Sequence, residues 1–358
     1  MIRLDLGNDM IVREDCTVRD AMKQIDKSAR GILFVADQRM KLLGTMTDGD
    51  IRRGLLAGAK LSDNVDRVYN RSPYVMAAEN YDRDGAARTI AERGFKAIPI
   101  VNEQGTLVAY EPGNEARPEG RGRVKDIGVP AVIMAGGKGT RMAPFTNVLP
   151  KPLIPIGEKT ILELIIDEFS RFGVRDYYFT INYRGEMIRA YFDCIKHDYS
   201  VTYLREQDFN GTAGSLNLLP PDIPKTFIVS NCDIIVKADL GDVLEFHYKS
   251  KAMLTVISSV QHHQIPYGVI KFESGGIVSG LEEKPEMSFC INTGVYILER
   301  ECLEYIPKNG IYHMTHLMEA LMQDGKRVVT YPVNENEYID IGQWEEYRKA
   351  VNQMSMKL

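Results

Sequence analysis

The sequence has little of what marks secreted, membrane or nucleic-acid-binding proteins. Its five cysteines are spread through 358 residues without a C-x-x-C pair, which predicts free thiols in a reducing, cytoplasmic location. No apolar run approaches the roughly 18 residues of a membrane-spanning helix, and the N-terminus lacks the basic and apolar regions of a signal peptide. The net charge of −5 supplies no global basic field for nucleic acid.

Histidines are also few, and the nearest approach to a metal motif among them is His313 and His316, one helical turn apart. Such a pair without further ligands is more typical of a helix face than of a zinc site. What the chain does have is the length of two domains. The run EARPEGRGRVKDIG at 115–128 is polar and glycine-bearing. We therefore predict a linker there, between one domain at 1–114 and another at 129–358.

The first domain contains an internal repeat. The segments 17–37 and 81–102 each open a helix-like stretch with an Arg-Asp pair and continue into a short apolar strand. Asp20 and Asp84 stand where a helix would start, next to the positive end of its dipole. The period of about 65 residues predicts two copies packed as a pseudo-symmetric pair.

The first copy continues with GTMTDGD, in which Thr47 and Asp50 lie at a strand-to-helix junction. A hydroxyl and a carboxylate there suit phosphate and ribose hydroxyls, although Thr-x-x-Asp is also an ordinary helix cap. With Gly44 and the repeat, these residues resemble a tandem pair of CBS domains over residues 8–112. The resemblance implies an adenine nucleotide as ligand and a homo-oligomer formed through the pair. The second copy reads GTLVAYEPGNE and lacks Thr-x-x-Asp, so ligand binding and a purely structural role both stay open.

In the second domain, apolar strands alternate with helix-period segments. Residues 131–135 fit a buried strand and 161–173 a helix that ends at Gly173. This alternation predicts an α/β fold with a mainly parallel sheet that helices cover on both faces. Ligands of such sheets bind beyond the carboxyl ends of the strands. Further strands are predicted at 177–183, 226–230, 252–260 and 292–298.

Glycines and cations follow the first of these strands, in AGGKGTRMAPFTNVLPKPLIPI. Gly136, Gly137 and Gly139 allow backbone N–H groups to point at an anion, and Arg141 and Lys151 add positive charge. A dinucleotide fingerprint would need a glycine in place of the first methionine, and a Walker A loop would need Ser or Thr after the first lysine. The loop therefore predicts a polyphosphate cradle of another type.

The same stretch resembles the motif of sugar-1-phosphate nucleotidyltransferases, and the resemblance covers residues 129–358. It implies a Rossmann-like, GT-A-like α/β fold and a reaction in which an NTP and a sugar 1-phosphate give an NDP-sugar and pyrophosphate. An oxygen of the sugar phosphate would attack the α-phosphorus in line, so positioning and charge neutralisation would carry catalysis. The positions that match the motif are Gly136, Gly137, Gly139, Thr140, Arg141, Pro144, Thr146, Pro150, Lys151, Pro152 and Pro155.

Further along, REQDFNGTAGSL at 205–216 resembles the base-recognition loop of this family. The carboxylate of Glu206 can accept hydrogen bonds from both N1–H and the 2-amino group of guanine, whereas uracil and thymine offer one such donor. This favours GTP, although some uridylyl-transferring relatives carry the same residue and a strand-end glutamate can also face solvent. The nucleotide-binding residues that the resemblance implies are Ala135, Gly136, Gly137, Gly139, Thr140, Glu206, Gly211, Thr212 and Ala213.

Two acids resemble the magnesium ligands of the family. Asp233 follows an apolar strand in FIVSNCDIIV, where Cys232 replaces the usual glycine, and Asp340 lies in YIDIGQWEEY. Either acid alone is equally typical of a helix N-cap. Two of them near a phosphate cradle fit Mg²⁺, which prefers one or two carboxylates plus substrate phosphates. The catalytic residues that the resemblance implies are Arg141, Lys151, Lys284 and Asp233.

The sugar phosphate is expected at GLEEKPE, which resembles the family's E-K-P element. Lys284 would bind the phosphate and Glu283 the sugar hydroxyls, although such a charged run is also typical of a solvated face. Gly268 would let the sugar approach the backbone, unless it marks a bulge in a strand. Asn292 and Thr293 resemble further residues that line the sugar.

A CBS pair ahead of this catalytic domain resembles the bacterial glucosamine-1-phosphate guanylyltransferases of legionaminic acid synthesis, so we expect GTP and glucosamine 1-phosphate as substrates. A mannose-1-phosphate guanylyltransferase, or a glucose-1-phosphate enzyme that uses UTP or dTTP, stays open. A nucleotide sensor without catalytic activity is a further alternative, but the intact cradle and both acids argue against it. A glycosyltransferase would typically carry a D-x-D motif, and NCDII has no second acid.

Overall fold

The computed structural model describes residues 8–28, 30–113, 126–342 and 344–355. The chain divides into two compact units, Met1–Arg123 and Val124–Leu358. The predicted linker at 115–128 lies outside the described residues as far as residue 125. Among the helices that the structure describes, none is long and apolar enough to cross a membrane.

The internal repeat of the sequence is confirmed in the first unit. Its elements are β1 (Ile11–Arg13), α1 (Val18–Ser28), β2 (Ile32–Ala36), β3 (Leu42–Thr47), α2 (Asp48–Leu56), β4 (Met76–Ala77), α3 (Arg83–Arg93), β5 (Ala97–Val101) and β6 (Leu107–Pro112). In the first copy β1 pairs with β2 in parallel, and β2 pairs with β3 antiparallel. In the second copy β4, β5 and β6 repeat this pattern. A helix joins the two parallel strands of each copy.

Side-chain caps set the helix starts of this unit. Before α1, the hydroxyl of Thr17 accepts the N–H of Asp20 at 3.2 Å. Before α3, the carboxylate of Asp82 accepts the N–H groups of Asp84 and Gly85. The cap of α3 is therefore Asp82, and Asp84 lies in the first turn, where its charge still favours the helix dipole.

Thr47 and Asp50 form a capping box at the start of α2. The hydroxyl of Thr47 accepts the N–H of Asp50 at 3.3 Å, and the carboxylate of Asp50 accepts the N–H and the hydroxyl of Thr47 at 2.8 and 2.7 Å. Asp50 also forms an ion pair with Arg53 at 2.6 Å. The helix-cap interpretation is thus confirmed, and the binding of ribose and phosphate by these residues stays a prediction.

The second unit is built around one seven-stranded sheet. Its elements are β7 (Ala131–Met134), β8 (Pro155–Ile156), β9 (Lys159–Thr160), α4 (Ile161–Ser170), β10 (Asp176–Ile181), α5 (Gly185–Cys194), β11 (Ser200–Arg205), α6 (Gly211–Gly214), β12 (Thr226–Asn231), β13 (Ile234–Val236), α7 (Leu240–Lys249), β14 (Leu254–Gln264), β15 (Val269–Phe272), β16 (Val278–Glu282), β17 (Glu286–Glu299), α8 (Met314–Gln323), β18 (Val328–Val333), β19 (Tyr338–Asp340) and α9 (Trp344–Ser355). The sheet order is β11-β10-β7-β12-β17-β14-β18. Strand β17 runs antiparallel to both neighbours, and the other adjacent pairs are parallel. The predicted mixed, mainly parallel α/β sheet is confirmed.

Successive side chains of β7 point into two different cores, as the period of a strand requires. Ala131 and Ile133 belong to the core that α4, α5 and α7 cover. Val132 and Met134 belong to the core that α8 covers. The sheet is therefore buried on both faces. The polar loops project from the ends of its strands.

Two further details refine the predicted elements. The strand predicted at 292–298 is the second half of the longer β17, whose first residues, 286–291, are not buried. His313 and His316 form a capping box at the start of α8. The N–H of His313 donates to Nδ1 of His316 at 3.2 Å, so the pair serves the helix terminus.

Candidate active site

The glycine-rich loop starts where β7 ends, at the carboxyl edge of the sheet. Ala135 is fully buried, and its N–H donates to the carbonyl of Thr180 at 2.9 Å, which ties the loop to β10. Gly139 has a φ of 63°. A Cβ at this position would lie 2.9 Å from Cγ2 of Thr146 and 3.0 Å from Cβ of Lys151. Glycine is required there because of both the backbone conformation and the space.

A cleft of about 300 Å³ opens beside this loop. It brings together the loop, the segment after β11 and the end of β12, which lie far apart in the sequence. Ten of the predicted site residues line it, namely Gly136, Gly137, Gly139, Thr140, Arg141, Lys151, Glu206, Gly211, Thr212 and Asp233. Six further residues line the cleft and were not predicted from the sequence, namely Met134, Thr180, Phe209, Ser215, Asn231 and Cys232.

The two predicted phosphate-binding cations differ in their surroundings. The side chain of Lys151 is buried, and its ammonium group forms an ion pair with the carboxylate of Asp233. Arg141 is exposed, so its guanidinium is free to turn towards an incoming anion. Burial strengthens the field of the lysine, because less water screens a charge inside a protein than at its surface.

Asp233 and Asp340 come together because β13 and β19 pair antiparallel. Ile234 lies opposite Asp340 in this pairing, and the N–H of Ile341 donates to the carbonyl of Asp233 at 2.8 Å. A Cβ at Gly342 would lie 2.6 Å from Oδ1 of Asp340 and 3.0 Å from Oδ2 of Asp233. Both carboxylates therefore face one small space.

This pair of carboxylates has the chemistry of a magnesium ligand set. Burial raises the pKa of Asp340 and the charge of Asp233 raises it further, whereas the N–H of Gly342 and the charges of Lys151 and Arg141 lower it. Among the described residues, no group of three or more His, Cys, Asp or Glu could hold a metal. Two carboxylates are the number that Mg²⁺ uses when substrate phosphates complete its coordination. The donor set fits that ion.

Glu206 follows β11 and is buried, so the alternative that it faces solvent is wrong. Its Oε2 accepts the N–H of Asn210 at 3.3 Å. A Cβ at Gly136 would lie 2.6 Å from its Oε1, which places the carboxylate against the glycine-rich loop. Burial raises the pKa of Glu206, whereas hydrogen bonds from the Asn210 N–H and the Thr180 hydroxyl lower it.

The segment after Glu206 continues into the short helix α6. Gly211 has a φ of 81°, and a Cβ there would lie 2.5 Å from the carbonyl oxygen of Tyr312. The hydroxyl of Thr212 accepts the N–H of Met314 at 3.1 Å. Ala213 is fully buried, and its N–H donates to the carbonyl of Tyr312 at 2.9 Å. These contacts fix the segment on α8 and so hold one wall of the cleft.

The predicted sugar-lining residues of β17 are held by their own strand and its neighbour. The side-chain amide of Asn292 donates to the hydroxyl of Tyr296 at 2.9 Å. Thr293 is buried, and its hydroxyl donates to the carbonyl of Ile257 at 2.6 Å. The hydroxyl of Thr293 is therefore engaged within the sheet, and its predicted contribution to a sugar site is a shape rather than a free donor.

Asn231, at the end of β12, joins the cleft to this strand. It lines the cleft, and a Cβ at Gly294, whose φ is 86°, would lie 2.3 Å from its Nδ2. Its place two residues before Asp233 at a strand end was the signal that sequence reasoning passed over. Next to it, burial raises the pKa of the Cys232 thiol to about 12, so this thiol stays protonated at neutral pH.

Gly268, Glu283 and Lys284 lie at the base of the hairpin that β15 and β16 form. A Cβ at Gly268 would lie 2.9 Å from Oε2 of Glu283, so this carboxylate packs against the glycine. Lys284 is exposed and has a φ of 48°. Of the residues that the structure describes, neither Glu283 nor Lys284 is among those that line the cleft. Their binding of a sugar phosphate stays a prediction.

Comparison with known families and proteins agrees with this geometry. The model of the nucleotidyl transferase family matches residues 130–357, and that of the CBS domain matches residues 7–57, the first of the two copies. The chain is 30% identical over 242 residues to the UTP–glucose-1-phosphate uridylyltransferase of Synechocystis sp., a match that covers 62% of each protein. It is 30% identical over 226 residues to the mannose-1-phosphate guanyltransferase of Schizosaccharomyces pombe, covering 61% of this chain and 62% of that protein. The chain thus spans less than two thirds of the length of these two relatives.

Two smaller proteins are matched almost throughout. The D-glycero-alpha-D-manno-heptose 1-phosphate guanylyltransferase of Aneurinibacillus thermoaerophilus is 28% identical over 228 residues, which are 63% of this chain and 97% of that protein. The crystal structure of HddC from Yersinia pseudotuberculosis superposes with a TM-score of 0.50 at 24% identity and covers 63% of this chain and 99% of that one. This likeness of structure supports the fold assigned to the second unit.

Proposed function

Because the chain belongs to the nucleotidyl transferase family, we propose that it transfers a nucleotidyl group from an NTP to a sugar 1-phosphate. The products are an NDP-sugar and pyrophosphate. The favoured substrates are GTP and glucosamine 1-phosphate. The observation that carries this proposal is the single cleft that holds the glycine-rich loop, Arg141, Lys151, Glu206 and Asp233, with Asp340 beside the last of them.

Glu206 supports guanine as the base. Its Oε2 is engaged by the N–H of Asn210, whereas its Oε1 lies beside Gly136 at the cleft. A buried carboxylate in this position can accept both N1–H and the 2-amino group of guanine. A site built for these donors would discriminate strongly against a base that lacks one of them, because the carboxylate would then be left without a partner.

The loop and its cations suit the triphosphate. Backbone N–H groups of a glycine-rich turn bind phosphate oxygens, and Arg141 can bind two oxygens at once. In the proposed step, an oxygen of the sugar phosphate forms a bond to the α-phosphorus while the bond from that phosphorus to the bridging oxygen breaks. Pyrophosphate leaves with the electron pair, and no proton has to be moved. Lys151 and Arg141 would neutralise the charge that builds on the leaving group.

Mg²⁺ is the cofactor we propose, with Asp233 and Asp340 as its protein ligands. When bound there, it would supply charge neutralisation for the phosphates. The chain's own residues would do the rest. The pairing of β13 with β19 aligns the two carboxylates, and the ion pair of Lys151 with Asp233 keeps that site compensated before substrates arrive.

At the other end of the substrate, we assign the sugar 1-phosphate to Lys284 and Glu283, with Gly268, Asn292 and Thr293 shaping the sugar pocket. The contact of Gly294 with Asn231 supports this assignment, because Asn231 lines the cleft and Gly294 lies on β17 next to Asn292 and Thr293. For the first unit, an adenine nucleotide at Thr47 and Asp50 and association through the CBS pair remain part of the proposal.

The test is a matrix of GTP, UTP, dTTP, CTP and ATP against glucosamine, mannose and glucose 1-phosphates, with pyrophosphate as the readout. We expect the highest kcat/KM for GTP with glucosamine 1-phosphate and no activity in the Arg141→Ala variant under the same conditions. A preference for UTP with glucose 1-phosphate, the reaction named for the Synechocystis relative, would replace the favoured substrates. Absence of pyrophosphate with every pair would overturn the proposed activity. Repeating the matrix with AMP or ATP added would test regulation by the first unit.

A further inference from the structure

The hairpin of β15 and β16 exposes an unusual number of large apolar side chains. Six of them are between 57% and 74% exposed, namely Tyr267, Ile270, Phe272, Ile277, Val278 and Leu281. They fall within fifteen consecutive positions of one chain segment. Single exposed apolar residues are normal on protein surfaces, but a contiguous group is a sign of an interaction surface.

The register of the hairpin places four of these side chains on one face. Ile270 lies opposite Leu281, and Phe272 lies opposite Val278. Cross-strand partners point the same way, and Ile270 and Phe272, two apart on β15, share a face. On β16 the partners Leu281 and Val278 are three apart, and the register shift between Lys271 and Phe272 accommodates the extra residue. The four side chains therefore form one apolar surface. We call it the hairpin face. The opposite side of the hairpin carries Val269, Lys271, Gly280 and Glu282, and Lys271 forms an ion pair with Glu282 there at 3.0 Å.

A two-stranded hairpin with one bare apolar face is poorly stable by itself, because it needs a packed face to offset the cost of ordering the chain. At the exposures given above, the four side chains of the hairpin face leave roughly 500 Å² of surface. Tyr267 and Ile277, which lie just before the two strands, raise the total to roughly 800 Å², about what each partner contributes to a stable protein–protein interface. The size of the surface is therefore that of a docking site for a macromolecule, and it exceeds what a small ligand needs.

We propose that the hairpin face binds the same face of a second copy of this chain. Two-fold association requires a surface that complements itself. The four residues of the hairpin face are all uncharged, so two copies meet without like-charge repulsion, whereas a charged partner would gain nothing from this surface. Sheet faces that pack in this way lie about 10 Å apart. This contact is separate from any association through the first unit.

The first test uses the full chain with Ile270 replaced by the photoreactive residue p-benzoylphenylalanine. Equal amounts of ¹⁵N-labelled and unlabelled chain are mixed, irradiated and analysed by mass spectrometry. We expect cross-linked peptides that join a labelled copy to an unlabelled one, both from residues 267–281. Cross-links confined to a single copy, or to a different surface, would overturn the proposal.

The second test changes the charge of the surface. Phe272→Glu combined with Leu281→Glu should halve the mass measured by sedimentation velocity, because four carboxylates would meet at the interface. The matched control is Lys271→Glu combined with Glu282→Lys, which reverses the ion pair on the opposite side and should leave the mass unchanged. Far-UV circular dichroism checks that both variants are folded. A mass that is equal in the parent and in both variants would contradict the proposal, and the cross-linking result is independent of how well the variants fold.

Discussion

The nucleotide end and the sugar end of the proposed substrate site are held in different ways. The nucleotide end consists of residues at the ends of buried strands, with Gly136 after β7, Glu206 after β11 and Asp233 after β12. Much of the sugar end lies at the base of the exposed hairpin, where Glu283 and Lys284 are both exposed. Regions with few buried contacts open most easily. The buried strands therefore hold the nucleotide end in place, whereas the exposed residues Glu283 and Lys284 of the sugar end have fewer packed neighbours to hold them.

The largest loss of activity is expected from a substitution at the nucleotide end. Asp233→Asn removes the charge that pairs with Lys151 and one of the two proposed magnesium ligands, so kcat should fall by about 10³-fold at saturating substrates. Steady-state kinetics with pyrophosphate as readout measures it. Asp222→Asn, at an exposed turn, is the matched control and should keep the parental kcat. An unchanged kcat in Asp233→Asn would remove this carboxylate from the mechanism.

A smaller effect is expected at the sugar end. Lys284→Ala should raise the KM for the sugar 1-phosphate by roughly 10–100-fold, because one charge-assisted hydrogen bond to a phosphate is lost. The KM for the NTP should stay as it is, since this residue does not line the described cleft. Lys271→Ala, on the same hairpin, is the control. If both KM values rose together, the separation between the two ends would be wrong.

The pH dependence of the KM for GTP tests the role of Glu206 at the nucleotide end. Its pKa is raised by burial, so it gains a proton at a higher pH than an ordinary glutamate does. As the pH falls through that raised pKa, the carboxylate loses an acceptor for guanine, and the KM for GTP should rise. Glu206→Gln should lower kcat/KM for GTP by about 10-fold and abolish this pH dependence. Glu158→Gln, which is exposed, should retain it.

Glu206→Gln should lower activity but raise the stability of the fold. A raised folded-state pKa means that the charged form is disfavoured by folding, so the native state loses stability as the pH rises above the unfolded-state pKa. Glu206→Gln removes this cost at neutral pH and should raise the Tm by about 1–3 °C in a calorimetric scan. A lower Tm would show that the carboxylate stabilises the fold through its hydrogen bonds.

The smallest changes are expected in stability, from substitutions in a capping box of each unit. Thr47 caps α2 with Asp50, and Thr160 caps α4 with Glu163 in the same geometry. Thr47→Ala and Thr160→Ala should each cost about 1 kcal/mol of the stability of their own unit, measured by denaturant unfolding. If Thr47 also binds an adenine nucleotide, AMP should stabilise the parent and Thr160→Ala but not Thr47→Ala. An equal response of all three would leave Thr47 as a cap alone.

Much of the second unit could be predicted from the sequence, because its strands are continuous apolar runs that a two-sided core requires. The glycine-rich loop could also be predicted, because Gly139 has a backbone conformation that glycine adopts most easily. The partnership of Asp233 with Asp340 was not readable from spacing. It depends on the pairing of two three-residue strands, β13 and β19, which carry too little pattern to be recognised alone.

Some contacts between side chains and the backbone also could not be predicted from the sequence. The sequence could not show that Asp82 rather than Asp84 caps α3, because an aspartate at either position is a good N-cap residue. It could not show that Asn231 meets Gly294, since that approach depends on the register between β12 and β17. Residues whose role comes from a neighbour on another strand are visible only when the sheet order is known.

The position of Asp340 on β19 has a consequence for proteolysis. All seven strands of the central sheet precede it in the chain. Cleavage ahead of β19 would therefore leave every strand of the sheet in one fragment and Asp340 in another. The larger fragment would keep Asp233 and the glycine-rich loop but would lose one of the two proposed magnesium ligands.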